Sequence, residues 1–384
     1  MTTLKRLLLA AIMCSLVATA NAAPIDDANA AYDRGDYAQA LKILRPLAAQ
    51  GNAYTQFMLG DMYYHGQGVT QDYKEAFKWY RLAAAQGFAA AQINIGGMYQ
   101  SGLGVTKNDQ EALKWFRLAA AQGVRNAQFN LGLMYHNGHG VTQDYQEASK
   151  WYRRAADQGY ADAQFNLGWI YSNGLGVTQD YQEALKWFRL AAAQGSALAQ
   201  FNLGWIYGNG LGVLQSYQEA LKWYRLAADQ GYADAQFNLG LMYHNGQGVT
   251  QDYQEALKWY RLAADQGNTS AQKNIGALGY NIGLMYYEGQ GVLQSYKEAF
   301  KWFQIAAETG TAMAQFNIGV MYRDGQGVLQ DLIRAHMWFN LASAAGYADG
   351  AKNRDVTAQR MTPQQIEKAQ EMARKCQERN FKGC

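Results

Sequence analysis

The sequence is poor in proline, cysteine and charge. It has 3 Pro and 3 Cys among 384 residues, and 17% of the residues are charged. Its 34 basic and 31 acidic side chains give a formal net charge of +3, which is too small and too evenly spread to indicate nucleic acid binding. No apolar run after Ala23 is long enough to cross a membrane. Aromatic residues make up 13% of the chain, which excludes intrinsic disorder.

The amino terminus has the pattern of an export signal. Lys5 and Arg6 precede the apolar run 7–17, and small residues follow in an A-x-A arrangement that ends at Ala22. This pattern predicts a signal peptide over residues 1–22 and a mature chain in the periplasm or the medium of a bacterium. The alternative is an uncleaved anchor helix.

Cys376 and Cys384 are the two cysteines that remain after signal removal. They lie close together in a compartment expected to be oxidising, which favours a local disulfide that pins the chain end. Free or intermolecular thiols are the alternative. The spacing is not Cys-x-x-Cys, so neither possibility indicates redox catalysis.

The middle of the chain is one unit repeated eight times. Seven units of 36 residues and one of 43 cover residues 51–345, and a period in this range is typical of a solenoid. The spacing is marked by glycines: Gly51, Gly87, Gly123, Gly159, Gly195, Gly231, Gly267, Gly310 and Gly346.

Each unit is predicted to form two helices joined by a glycine-containing loop. In the first unit, residues 53–64 form an apolar helix, and the two loop glycines suit positive φ. Asp72 then acts as an N-cap, with Glu75 completing a capping box. In the eighth unit Arg334 replaces that Glu, so we expect a weaker cap there. The remaining N-caps are predicted at Asn108, Asp144, Asp180, Ser216, Asp252, Ser295 and Asp331.

These residues resemble the Sel-1-like repeat, a relative of the tetratricopeptide repeat. The resemblance implies an all-α fold, a right-handed α-solenoid of stacked helix–turn–helix repeats. Residues 23–50 resemble a tetratricopeptide-type helix pair that caps the amino end, and 346–384 would form capping helices at the other end. In the first unit the family pattern reads Leu59, Gly60, Tyr63, Gly66, Gly68, Val69, Asp72, Glu75, Ala76, Trp79, Tyr80, Ala83 and Ala84.

The seventh unit carries seven extra residues, with Asn274-Ile275-Gly276 nearly repeated at 281–283. Seven residues are close to two helical turns, so a longer first helix would keep its apolar face in phase. A bulged loop before Tyr280 is the alternative, and the sequence leaves both open.

No pattern of residues indicates catalysis. Ser270 and Lys273 match the Ser-x-x-Lys nucleophile motif of β-lactamases, but the Lys-Thr-Gly and Ser-Asp-Asn partner motifs are missing. His136 and His139 lack the spacing and the further ligands of a metal site. Near-identical units supply no asymmetric set of acid, base and nucleophile. We therefore expect a non-enzymatic protein without metal or cofactor.

The resemblance to tetratricopeptide arrays implies that the first helix of each unit lines a concave face that binds a ligand. Packing and bracing of the solenoid is the alternative role for the Phe and Asn positions. Trp169 and Trp205 differ, because other units place smaller or aliphatic residues there, and exposed Trp side chains suit a protein hot spot or a sugar platform. The other expected contacts are Phe165, Phe201, Phe237, Asn166, Asn202, Asn238, His136 and His244.

Together these features predict an exported scaffold that binds a protein or peptide partner in its concave groove. Its role would be to assemble or regulate an envelope or secreted complex. The alternative is a module that binds peptidoglycan or exopolysaccharide, and a more distant one is a β-lactam-reactive hydrolase that uses Ser270.

Overall fold

The computed structural model describes residues 24–384, so the predicted signal peptide lies outside the described residues. The described chain is helical, without a strand, and α1 occupies 24–33. The other helices are α2 (Tyr37–Ala49), α3 (Ala53–His65), α4 (Tyr73–Ala85), α5 (Ala89–Ser101), α6 (Asp109–Ala121), α7 (Arg125–Asn137), α8 (Tyr145–Asp157), α9 (Ala161–Asn173), α10 (Tyr181–Ala193), α11 (Ala197–Asn209), α12 (Tyr217–Asp229), α13 (Ala233–Asn245), α14 (Tyr253–Asp265), α15 (Thr269–Glu288), α16 (Tyr296–Ala307), α17 (Ala312–Asp324), α18 (Leu332–Ala344), α19 (Ala348–Ala358) and α20 (Pro363–Glu378).

The eight predicted repeats are the helix pairs α3/α4 to α17/α18. In each pair the first helix ends at a glycine in the left-handed region, as at Gly66 with φ of 70°. Gly68, two residues later, also has positive φ, and a Cβ there would lie 2.7 Å from the Tyr37 side chain. Both loop positions therefore require glycine. Gly66 is required because of its positive φ, and Gly68 is required because of its positive φ and because a Cβ would lie too close to Tyr37. The stacked pairs have the all-α, α-solenoid architecture that the sequence predicts.

The predicted N-caps are present, but the capping box is not formed in the repeats. The Asp72 side chain accepts hydrogen bonds from the backbone N–H groups of Lys74 and Glu75. The N–H of Asp72 itself donates to the Tyr63 carbonyl, 3.0 Å away, in the preceding helix. Glu75 therefore has no donor to accept from at the cap, and its carboxylate pairs with Lys78 at 2.7 Å.

The eighth repeat keeps a full side-chain cap. Asp331 accepts from the N–H groups of Ile333 and Arg334, as Asp72 does from its own helix. Because the Glu of the other repeats does not contribute to the cap, its replacement by Arg334 removes nothing from it. The expectation of a weaker cap in this repeat assumed that the Glu takes part in the cap, and that assumption was wrong.

A glycine inside the first helix of each repeat lets the two helices of a pair approach closely. A Cβ on Gly60 would lie 2.6 Å from the Tyr80 ring, and one on Gly96 would lie 2.7 Å from the Phe116 ring. These rings are among the largest fully buried side chains. The Leu-Gly pair of the repeat pattern is therefore a packing requirement, in which the ring of the second helix covers the glycine of the first.

In several repeats a buried glutamine of the first helix links that helix to the one before it and to the end of its own repeat. The Gln164 amide donates to the Ala156 carbonyl at 3.1 Å, and its oxygen accepts from Gln194 at 2.8 Å. This arrangement satisfies a buried amide with one partner before it and one after it in the chain. The same glutamine pair recurs as Gln86–Gln56, Gln122–Gln92, Gln158–Gln128, Gln230–Gln200 and Gln266–Gln236.

The insertion in the seventh repeat extends a helix and forms no bulged loop. The 20-residue helix α15 is continuous. The first half of α15 contacts the preceding repeat, because the Asn274 side chain approaches the hydroxyl of Tyr260 in α14. Its second half is in register with its own repeat, because the Tyr280 ring packs on Phe303 at 6.0 Å between ring centres. One helix thus carries two copies of the repeat's contact pattern.

The described chain forms two compact units that divide after Ser196, at the junction between the fourth and fifth repeats. In the first unit, α1 and α2 pack their apolar residues on α3. In the second unit, α19 and α20 follow the eighth repeat, and Cys376 of α20 is joined to Cys384 with Sγ atoms 2.01 Å apart. Phe381, between the two cysteines in sequence, packs against the apolar cluster of the eighth repeat.

Candidate binding face of the first helices

Three positions of each first helix form the candidate site, which we call the first-helix face. They are the fifth, ninth and twelfth residues of the helix, which share one side because they are four and three residues apart. In α9 these are Phe165, Trp169 and Ser172, and in α7 they are Phe129, Leu133 and His136. The predicted Asn contact is the sixth residue of the helix, directly after the Phe of the fifth position.

The phenylalanines of the fifth position pack inside their own repeats. Phe165 lies 5.9 Å from Phe188, Phe201 lies 5.7 Å from Tyr224, and Phe237 lies 5.9 Å from Tyr260, between ring centres. Each is half-buried. These contacts hold the first helix of each repeat against the second. Packing within the repeat therefore covers most of the surface of each ring, which agrees with the bracing alternative.

The asparagines face the second helix of the preceding repeat. Burial raises the pKa of Tyr152 and Tyr224, and the side chains of Asn166 and Asn238 act against that shift by approaching the hydroxyl groups. Asn202 is held differently, because its Nδ2 donates to the Leu198 carbonyl at 2.8 Å within α11.

The two histidines of the twelfth position are inserted among aromatic rings. His136 stacks on Trp169 at 5.4 Å and 25°, and its Nδ1 is buried without a hydrogen-bond partner among residues 24–384. His244 instead has its Nδ1 3.3 Å from the Tyr260 hydroxyl. Burial lowers the pKa of both histidines, which favours neutral imidazoles at pH 7.

The two tryptophans differ in exposure. Trp169 is half-buried, with one ring face on His136. Trp205, in the second unit, is 40% exposed. On α11 it continues a line of accessible side chains that starts at Leu198, seven residues earlier and therefore on the same side of the helix. We call Leu198, Asn202, Trp205 and Asn209 the α11 strip, and Trp205 is the member of the strip that also belongs to the first-helix face.

Two residues of the first-helix face depart from the repeat pattern in the first two repeats. At the ninth position, the first repeat has Asp61 and the second has Gly97, where later repeats have Leu, Trp or Val. Together they border a cavity of about 390 Å³ in the first unit. Comparing the repeats position by position would have identified both departures.

The residues that suggested chemistry are solvated. Ser270 and Lys273 are exposed in the first turns of α15, and His139 is exposed in a loop. Within 24–384, no group of three or more His, Cys, Asp or Glu side chains is placed to hold a metal ion. No helix in the same part of the chain is both long and apolar enough to cross a membrane.

Comparison with known proteins identifies the family. The Sel1 repeat matches eight segments, and the chain belongs to the Sel1 repeat family, whose members generally act as scaffolds for protein–protein interaction and whose fold is typically non-catalytic. The matched segments are residues 53–88, 89–124, 125–160, 161–196, 197–232, 233–268, 280–310 and 312–347.

Two solved structures from bacteria are similar to the chain. A Sel1 repeat protein from Oxalobacter formigenes is 40% identical over 63% of this chain and 99% of its own, with a TM-score of 0.56. A protective antigen of uropathogenic Escherichia coli with an SLR fold is 33% identical over 90% of this chain and 89% of its own, with a TM-score of 0.45. The comparison with curated proteins gave no match.

Proposed function

We propose that this protein is an exported, non-enzymatic scaffold that binds a protein partner on its first-helix face and assembles or regulates an envelope or secreted complex. The observation that carries the proposal is the α11 strip, in which the 40% exposed indole of Trp205 stands beside polar side chains. Trp is enriched among the few residues that carry most of the binding energy of protein interfaces.

The export part of the proposal rests on the signal pattern of residues 1–22. The binding part rests on the spacing of the strip, since side chains at intervals of three, four and seven along a helix suit a second helix or an extended segment laid against it. Family membership supports a scaffold role of the same kind.

The test is a cross-linking pull-down from bacterial envelope extracts with the chain lacking residues 1–22. Wild type is compared with Trp205→Ala and Trp169→Ala, and purified peptidoglycan serves as a separate bait. We expect a discrete protein band that Trp205→Ala loses, because truncating a central Trp of an interface removes about 2 kcal/mol or more.

Leu214→Ala is the matched control. This leucine is 93% exposed and lies in the loop between α11 and α12, outside the strip. Its truncation should leave capture unchanged. Retention on peptidoglycan without a protein band would favour the glycan alternative, and equal capture by all variants would remove the first-helix face from the proposal.

A further inference from the structure

A glycine, Gly97, lines the cavity beside Asp61. Its walls come from the helices α3 to α7, and they include Gly97 at a position where later repeats have larger side chains. A Cβ added at Gly97 would meet no atom within 4 Å. Its volume of about 390 Å³ is in the range of small-ligand sites and admits one long side chain or a similar small molecule.

The cavity has a carboxylate on one side and aromatic rings around it. The Oδ1 atom of Asp61 accepts hydrogen bonds from the Tyr80 hydroxyl and from Asn94 Nδ2, the latter at 3.4 Å. The Oδ2 atom has no hydrogen-bond partner among residues 24–384. The rings of Tyr64 and Phe116 also line the cavity.

We propose that this cavity binds an organic cation, an alkylammonium group such as a lysine side chain of a partner, with its charge on Asp61 and its carbon chain over Gly97. A carboxylate with one unused oxygen, bordered by aromatic side chains, combines the two features that select a cation over a neutral group.

Electrostatics around Asp61 favour such a ligand. Burial raises the pKa of this carboxyl, although the Tyr80 hydrogen bond and the exposed His65 of the same helix act in the opposite direction. Burial and the negative charge of Asp61 both raise the pKa of Tyr32 in α1. A half-buried carboxylate without a bound cation is penalised by its own desolvation, and a cation in the cavity relieves that penalty.

A second cavity provides a contrast within the same chain. It lies in the second unit, has a volume of about 230 Å³, and opens at Gly208 of α11. Tyrosine and asparagine side chains line it, as they do the first cavity, but its described lining contains no carboxylate. The carboxylate that defines the proposed ligand thus distinguishes the first cavity from the second.

The test is saturation-transfer NMR of the chain lacking residues 1–22, with n-butylammonium at pH 7, where an alkylamine is charged. 1-Butanol is the neutral probe of similar shape, and butyrate is the anionic one. We expect n-butylammonium to bind at least tenfold more tightly than either. Asp61→Asn should abolish the preference, and Gly97→Leu should remove binding by filling the cavity with the residue that the third repeat carries there.

Asp324→Asn is the control, since that carboxylate is already paired with Arg323 at 2.7 Å and should not matter. Equal binding of 1-butanol, an undiminished signal in Asp61→Asn, or no binding to wild type would each overturn the proposal. The cation site depends on the proposed function in one respect, because the cation is taken to be a group of the bound partner. Because free cations are tested, its failure leaves the role of Trp205 standing, and the reverse also holds.

Discussion

At the scale of single residues, two neighbouring glycines of α5 have opposite roles. Gly96 is covered by the Phe116 ring, whereas Gly97 faces open space. We predict that Gly97→Ala stabilises the protein by about 0.5–1 kcal/mol, because alanine is the better helix former. Gly96→Ala should destabilise it by about 1–3 kcal/mol through overpacking. Urea unfolding measures both, and equal effects of the two changes would contradict the account.

Asp61 should also affect stability in a pH-dependent way. Its raised pKa means that the folded state disfavours the ionised carboxyl, a cost that is complete above the folded pKa and vanishes below the unfolded value of about 3.9. Asp61→Asn should therefore be more stable than wild type at pH 7, and the difference should shrink as the pH falls through the raised pKa. Unfolding in urea at pH 7 and pH 3.5 measures the change.

Asp324→Asn provides the opposite sign for comparison. The hydrogen bond from Arg323 lowers the pKa of Asp324, so its ionised form stabilises the folded state above the unfolded value. The Asn variant should be less stable than wild type at pH 7 and approach it in acid. If both variants shift in the same direction, the assignment of environments to the two carboxyl groups is wrong.

At the scale of helices, the buried glutamines distinguish a satisfied position from an orphaned one. Gln164 has partners before and after it, whereas Gln315, at 0% exposure, has no partner for either amide atom among the described residues. Its partner thirty residues later would be residue 345, which is alanine. Gln164→Leu should cost about 1–2 kcal/mol, and Gln315→Leu should stabilise by about 1 kcal/mol.

Thermal and urea unfolding of the two variants test that contrast. The substitution is chemically the same in both helices, so the side-chain volume and hydrophobicity added are matched. A loss of stability in Gln315→Leu as large as that in Gln164→Leu would show that the amide contacts do not decide the outcome.

The long helix α15 makes a prediction about the insertion. Deleting residues 273–279 joins Gln272 to Tyr280 and restores the ordinary repeat pattern. We expect a folded protein that unfolds cooperatively, about 2 kcal/mol less stable because buried Leu278 is lost. Deleting only 273–278 leaves the rest of the helix turned by about 100° relative to the seven-residue deletion and should disrupt the seventh repeat. Circular dichroism during heating compares the two, and equal stability would contradict the register assignment.

The helices could be predicted from the sequence because local signals mark their ends. The first repeat was expected to form a helix over 53–64, and α3 is Ala53–His65. The register inside the insertion could not be decided, because Asn274 and Asn281 both fit the motif. Contact with Tyr260 selects Asn274, while Asn281 is exposed. Which copy meets the neighbouring repeat depends on packing, which the motif does not encode.

At the scale of the whole molecule, the repeats share one set of packing contacts, and the residues that depart from the repeat pattern distinguish one repeat from another. The stack of His136 on Trp169 joins two repeats through residues 33 positions apart, which no local pattern indicates. Trp205 was predicted as a contact from its departure from the other repeats, and its exposure supports that role. The same reasoning applied to Asp61 and Gly97 would have located the cavity.

The most direct test of the account is photocross-linking in the native envelope. The chain is expressed with Trp205→p-benzoylphenylalanine, and the control carries Leu214→p-benzoylphenylalanine at a more exposed site outside the α11 strip. The account predicts a discrete protein adduct from position 205 and none from position 214. Adducts of the same pattern from both positions, or no protein adduct from position 205, would contradict the claim that the first-helix face binds the partner.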